Sequence, residues 1–280
     1  MTATDAPLQQ PRIEWQTGRV QAIVAETNRV KSIILQPANW SGHWPGQHVD
    51  IRLTADDGYQ AERSYSIASP PEEKLLTLTV ERVEDGEVSS YLLDELQVGD
   101  ALEFRGPVGR HFIWSQTRGG PICLVAGGTG ITPLMAMLRH RRRSLAHIPA
   151  SLIYSARSLA DVVYRDELAT MAHGDRDLRL VYALTREHPS DWNGHRGRVN
   201  AALLAESSFT REQNPMFFIC GPTGFVEGIS SMLVKLGFDP LAVRTERFGQ
   251  QEHDRHGRQH CRPHSWRRSK DTLASRNLWL

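Results

Sequence analysis

At 280 residues, with 40% hydrophobic and 23% charged residues, the chain has a globular composition that excludes a disordered polymer and leaves room for two domains. A formal net charge of +1 gives no case for nucleic acid as the main partner. That balance hides an asymmetry: from Gln250 to Leu280 six Arg and one Lys stand against three acids, so this stretch carries +4 and the remainder −3.

The opening residues, Met-Thr-Ala-Thr-Asp-Ala-Pro, show neither the basic nor the apolar stretch of a secretory signal. No apolar run approaches the ~18–20 residues that span a bilayer, so the cytoplasm is the expected location. Cys123, Cys220 and Cys261 are widely spaced and cannot supply a disulfide framework or a four-cysteine iron–sulfur cluster.

Short apolar or alternating runs at 18–27, 30–37, 48–53, 63–69, 75–82 and 101–109, separated by turn signals such as Asp56-Asp57-Gly58, predict six antiparallel strands. Six strands at this spacing suggest a closed barrel, which also removes sheet edges. A helix is predicted over 88–95, opened by Gly86. From about Arg118 the rhythm changes to strands at 121–126, 151–156, 178–184, 216–220 and 242–246, alternating with helices at 133–142, 160–172, 199–206 and 225–236. That alternation predicts a doubly wound parallel α/β domain, which binds ligands at the carboxyl ends of its strands. The expected division is 12–113 for the barrel, 118–249 for the α/β domain, and 250–280 for a basic, His-rich tail expected to be disordered. A metal held by His253, His256, His260, Cys261 and His264 is not expected, because nothing there fixes ligand geometry.

Five motifs can carry chemistry. Gly127-Gly128-Thr129-Gly130-Ile131-Thr132-Pro133 joins a buried strand to a helix; its glycines admit a diphosphate close to the backbone, where the helix N-terminus offers unpaired N–H groups. Arg63-Ser64-Tyr65-Ser66 sets a cation, an aromatic face and a hydroxyl on one strand, although an ordinary strand alternation would use the same residues. Gly86 to Leu92 opens a second helix with Ser89 and Ser90 in its first turn, either a phosphate site or a simple cap. Cys220-Gly221-Pro222 ends a buried strand, where a thiol is usually structural. Glu246-Arg247-Phe248 ends the last strand. The run Arg139-His140-Arg141-Arg142-Arg143 closes a helix, where cations suit the dipole; it reads as a solvated end or as a dock for an acidic partner.

The order of these motifs, with Gly106-Pro107-Val108-Gly109 between them, closely resembles the ferredoxin–NADP reductase superfamily over about residues 12–249, in its oxygenase-reductase and flavohaemoglobin-reductase branch. That resemblance implies an FAD-dependent NAD(P)H reductase (FAD over FMN on the Ser89–Ser90 helix start). Arg63 would bind the flavin phosphate, Tyr65 would stack on the ring, Ser66 would lie by the hydride-accepting nitrogen, and Ser64 would also be among the cofactor-binding residues. Thr79 and Val80 would also touch the flavin. Gly86, Val88, Ser89 and Ser90 would hold the FAD pyrophosphate, and Phe248 would cover the other ring face. Gly128, Thr129, Gly130, Thr132 and Pro133 would hold the dinucleotide, with Gly221 and Pro222 beside it. Ser66, Cys220 and Glu246 would form the catalytic set.

Ser155 and Arg157, just past the second α/β strand, with Arg186 and Arg198, favour NADP(H) over NAD(H). A plant-type ferredoxin segment of the kind fused in many relatives is missing from this sequence, so the resemblance implies a separate acceptor: a ferredoxin, haem or oxygenase component. A diffusible acceptor such as a quinone, free flavin or ferric chelate stays open, as does a nucleotide-binding subunit with little turnover of its own.

Overall fold

Alternating burial builds the first sheet. In β3 (His48–Thr54) Val49, Ile51 and Leu53 face inward while their neighbours stay partly open, the period of two that a one-sided strand requires. The computed structural model describes residues 13–143, 147–248 and Trp266. Besides β3 it contains β1 (Trp15–Ala25), β2 (Val30–Pro37), β4 (Gln60–Ser66), β5 (Leu76–Glu81) and β6 (Ala101–Val108). All neighbours are antiparallel, in the order β4-β3-β6-β1-β2-β5. An antiparallel bridge from Ile67 to Leu78 joins the two edge strands and closes the barrel. Helix α1 (Glu87–Asp94) plugs one end through Val88, Tyr91 and Leu92.

The fourth strand sits three residues earlier than its apolar run. The tight turn at Asp56–Gly58 starts pairing at Thr54 and Gln60 and ends it at His48 and Ser66, after which the chain leaves β3 for β5. Trp266 bridges to Ala55 and packs beside Tyr59 and Tyr91 on the barrel. The rest of the 250–280 tail lies outside the described residues.

The second sheet is parallel, in the order β10-β9-β8-β7-β11-β12. Its strands are β7 (Ile122–Gly127), β8 (Ala150–Ala156), β9 (Leu178–Leu184), β10 (His195–Arg196), β11 (Met216–Pro222) and β12 (Val243–Phe248). Helices α2 (Ile131–Arg143), α3 (Arg165–Gly174), α4 (Ala201–Ser207) and α5 (Thr223–Lys235) alternate with them. β7 is buried along its whole length, as a central parallel strand must be. The chain departs from it to β8 on one side and returns as β11 on the other, leaving a crevice at their carboxyl ends.

Two expectations change here. The helix predicted over 160–172 begins only at Arg165, because Tyr164 adopts a left-handed backbone (φ 58°) that no continuous helix passes through. That turn drives the Tyr164 ring into the core, where its hydroxyl meets that of Thr79 in β5. The cations ending α2 divide: Arg142 is exposed, as a solvated helix end requires, while the others have partners. Arg139 donates to Glu167 (2.6 and 2.9 Å) and to the Ala68 carbonyl (2.9 Å), and lies over the Tyr164 ring. His140 pairs with Glu72, Arg143 with Glu73, and the buried Arg141 with Asp175 and the Ile148 carbonyl. The reason is the β4–β5 loop, which lays Ala68, Glu72 and Glu73 of the barrel along the end of α2.

Candidate functional site

Three strand ends meet in the crevice between the barrel and the parallel sheet. β4 delivers Ser66, β11 delivers Cys220, and the parallel register sets Cys220 opposite Glu246 on β12. Ser66 Oγ donates to Glu246 Oε1 at 3.0 Å, a bond between residues 180 apart in sequence. Burial pushes the Glu246 carboxyl up to about 7, and the Ser66 bond pulls it the other way. Burial, then the neighbouring Glu246, holds the Cys220 thiol well above its ordinary range, so it keeps its proton and is not a nucleophile at neutral pH. Burial likewise raises the Tyr65 phenol, against a smaller lowering by the charge of Arg63.

Beside this trio the glycine turn is built for close approach. Gly128 sits at φ 56°, and a Cβ there would meet nothing within 4 Å. A Cβ on Gly130 would lie 2.1 Å from the Cys220 carbonyl, so only glycine lets the turn rest on β11. The turn opens on a cavity of about 230 Å³, whose walls include Gly128, Thr129, Ser155, Arg157, Pro222 and Phe248. Phe248 is the last residue of β12 and is 38% exposed, available to cover a flat ligand.

Thus Ser66, Cys220 and Glu246 come together, and five of the residues expected around a dinucleotide line one cavity with Phe248, the residue expected on the flavin. Others do not reach it. Gly130, Thr132, Pro133 and Gly221 are buried behind the wall, and the Thr132 hydroxyl is committed to the Thr129 carbonyl (2.8 Å). Arg186 and Arg198 are exposed just past β9 and β10 and do not line the cavity, although the Arg186 amide bonds the Arg157 carbonyl (2.9 Å).

On the barrel side, Val80 points into the barrel core, while Thr79, on the opposite face of β5, is buried against Ser32 and the Tyr164 hydroxyl. The Ser64 hydroxyl is bonded to Asp50 (2.6 Å). The buried Ser89 hydroxyl donates to the Gly86 carbonyl and accepts from the Val83 amide, which leaves Ser90 as the half-buried hydroxyl of that turn. Val88 is buried in the barrel core. Sequence reasoning did not single out Arg29, Glu81, Asp161, Thr185 or Phe225 of the cavity wall, because each looks like an ordinary strand end or loop residue.

Residues 19–113 match the oxidoreductase FAD-binding domain family and residues 124–231 the oxidoreductase NAD-binding domain family. A curated ferredoxin–NADP reductase B of Sorangium cellulosum is 36% identical over 213 residues, covering 72% of this chain and 84% of that protein. The chain belongs to the ferredoxin–NADP reductase superfamily.

Its other relatives in that superfamily include a glycine betaine monooxygenase reductase subunit of Chromohalobacter salexigens, 34% identical over 208 residues, or 73% of this chain. The match spans 56% of the length of that relative. The crystal structure of a flavohaem-like FAD/NAD-binding domain of a nitric oxide dioxygenase from Vibrio cholerae aligns with a TM-score of 0.74 at 26% identity, covering 84% of this chain and 99% of that one.

The side chains around the crevice fit the cofactors of such a reductase. Helix α1 has no side-chain cap, so its first amides stay open to an anion, and a Cβ on Gly86 would strike Ser89 Oγ at 2.6 Å. Arg63 is exposed nearby on β4, its guanidinium bonded to the Glu62 carbonyl (2.7 Å). Among the described residues no group of three or more metal-capable side chains converges, and no helix is long and apolar enough to cross a membrane.

Proposed function

We propose that this superfamily member takes a hydride from NADPH onto FAD and hands the electrons to a separate acceptor, a ferredoxin, haem or oxygenase component, in the cytoplasm. The observation that carries this reading is the Ser66–Glu246 bond with Cys220 alongside, which sets a hydroxyl, a near-neutral acid and a protonated thiol in the crevice between barrel and parallel sheet. A nucleotide-binding module has no use for that trio; a hydride site does.

Bound flavin supplies the redox chemistry, accepting two electrons together and releasing them singly. The protein supplies position. Arg63, Ser90 and the open amides of α1 would hold the FAD diphosphate, with Tyr65 and Phe248 available to the flavin ring. Gly128 and Thr129 admit the dinucleotide diphosphate. Cys220, kept as a thiol, fills the space beside the nicotinamide without reacting with it. The Ser66 hydroxyl, bonded to Glu246, would lie beside the ring edge, and Glu246, raised to about 7, would take up or release the proton that accompanies electron transfer. Walls placed in this way would exclude water from the reacting atoms and orient them.

NADPH over NADH rests on Arg157 in the cavity wall, with Arg186 bonded to its backbone and Arg198 at the neighbouring strand end. The purified chain should be yellow, release FAD on heating, and bleach on anaerobic addition of NADPH. Bleaching with full reoxidation by a ferredoxin from the same cell is the expected result. A colourless protein that binds no flavin would overturn the reading, and a higher catalytic efficiency with NADH would reverse the dinucleotide choice.

A further inference from the structure

One contact in the cavity has no part in gripping a dinucleotide. Glu81, the last residue of β5, reaches across the seam and accepts a hydrogen bond from Thr129 Oγ1 at 2.7 Å. Both residues line the cavity, together with Arg29 on the barrel side and Arg157 on the far wall. The other acid in that wall, Asp161, is held by the Ser158 hydroxyl at 2.7 Å. Arg29 directs a guanidinium nitrogen to the Arg82 carbonyl (3.3 Å).

A glycine turn leading into a helix draws anions through its open amides and positive dipole end. A carboxylate planted on that turn works against it. We infer that Glu81 sets the dinucleotide affinity of the cavity, weakening its hold on the diphosphate; this rests on the cavity being the dinucleotide site proposed above.

Two effects act together. The single hydroxyl proton of Thr129 is committed to Glu81, so it serves a phosphate oxygen only after that bond is broken. The Glu81 charge also faces the incoming diphosphate from the barrel side, partly offset by Arg29. The same residue therefore ties the barrel to the turn when the cavity is empty of nucleotide and hastens release of the oxidised product after hydride transfer.

The test titrates the flavin-loaded full chain with NADP+ and with NAD+ by calorimetry, since oxidised dinucleotides bind without turnover. Glu81→Gln keeps an acceptor for Thr129 and removes the charge; Glu81→Lys inverts the charge. Binding should tighten roughly threefold in the first and about tenfold in the second, with both gains shrinking as salt is raised. Thr129→Trp, which fills the cavity, should abolish binding. If Thr129→Trp removes binding while neither Glu81 variant tightens it, the role of Glu81 is overturned and the dinucleotide site stands. If Thr129→Trp leaves binding unchanged, the cavity is not the dinucleotide site and both readings fall.

Discussion

The seam between barrel and parallel sheet is built differently at its two ends. At the crevice end two hydrogen bonds from hydroxyls to carboxyls, Ser66 to Glu246 and Thr129 to Glu81, cross between the halves, next to open space. At the α2 end Arg139, His140 and Arg143 meet Ala68, Glu72 and Glu73 in a charged clamp over the Tyr164 ring. The difference separates two duties. The clamp fixes how the halves face each other, so the crevice need not be held shut by its own residues and can stay accessible to two ligands.

The largest expected effect of breaking that division is at the crevice. Ser66→Ala should slow flavin reduction in anaerobic stopped-flow on the order of 100-fold while leaving NADP+ affinity nearly unchanged; equal reduction rates would remove Ser66 from the chemistry. Next comes the clamp. Arg139→Ala strands the Ala68 carbonyl and Glu167 in a half-buried setting and should cost about 2 kcal/mol in denaturant unfolding. A wild-type midpoint would show that the clamp does not orient the halves.

A smaller effect concerns pH. The native Glu246 carboxyl titrates higher than it does in the unfolded chain, so between the ordinary carboxyl range and about 7 the native state binds more protons. Stability therefore falls as pH rises through that window. Glu246→Gln should flatten this slope and remove an inflection near 7 from the flavin-reduction profile; a profile unchanged in the variant would assign that inflection elsewhere. The smallest effect is at the exposed pair: Arg143→Ala should cost under about 1 kcal/mol and vanish at high salt.

These two ends also differ in how far they could be read beforehand. The crevice was legible only in part: the glycines after β7 are a local turn signal, whereas Cys220 and Glu246 taken singly read as a structural thiol and a surface charge, and only the order of the motifs, through the family resemblance, grouped them. Strand alternation, a local signal too, gave the six barrel strands and the α/β order. The clamp was not legible. Glu72 and Glu73 look like loop solvent charges, and only the path of the β4–β5 loop along α2 gives Arg139 and Arg143 their partners. Tyr164 hides a helix break that no glycine or proline announces, because tertiary burial of its ring holds the left-handed backbone. β10, two residues long, has no pattern to detect. Hydroxyl roles were the least readable: Ser64, Ser89, Thr79 and Thr132 are all spent on internal partners.

The contact between Gly130 and the Cys220 carbonyl carries a lesson for redesign. Main chain touching main chain works as a fixed gauge, indifferent to whatever side chains decorate the pocket rim. Substituting Ser155 or Arg157 in the cavity wall therefore leaves the distance from glycine turn to thiol strand untouched, whereas a single methyl at position 130 would throw that alignment off at its source.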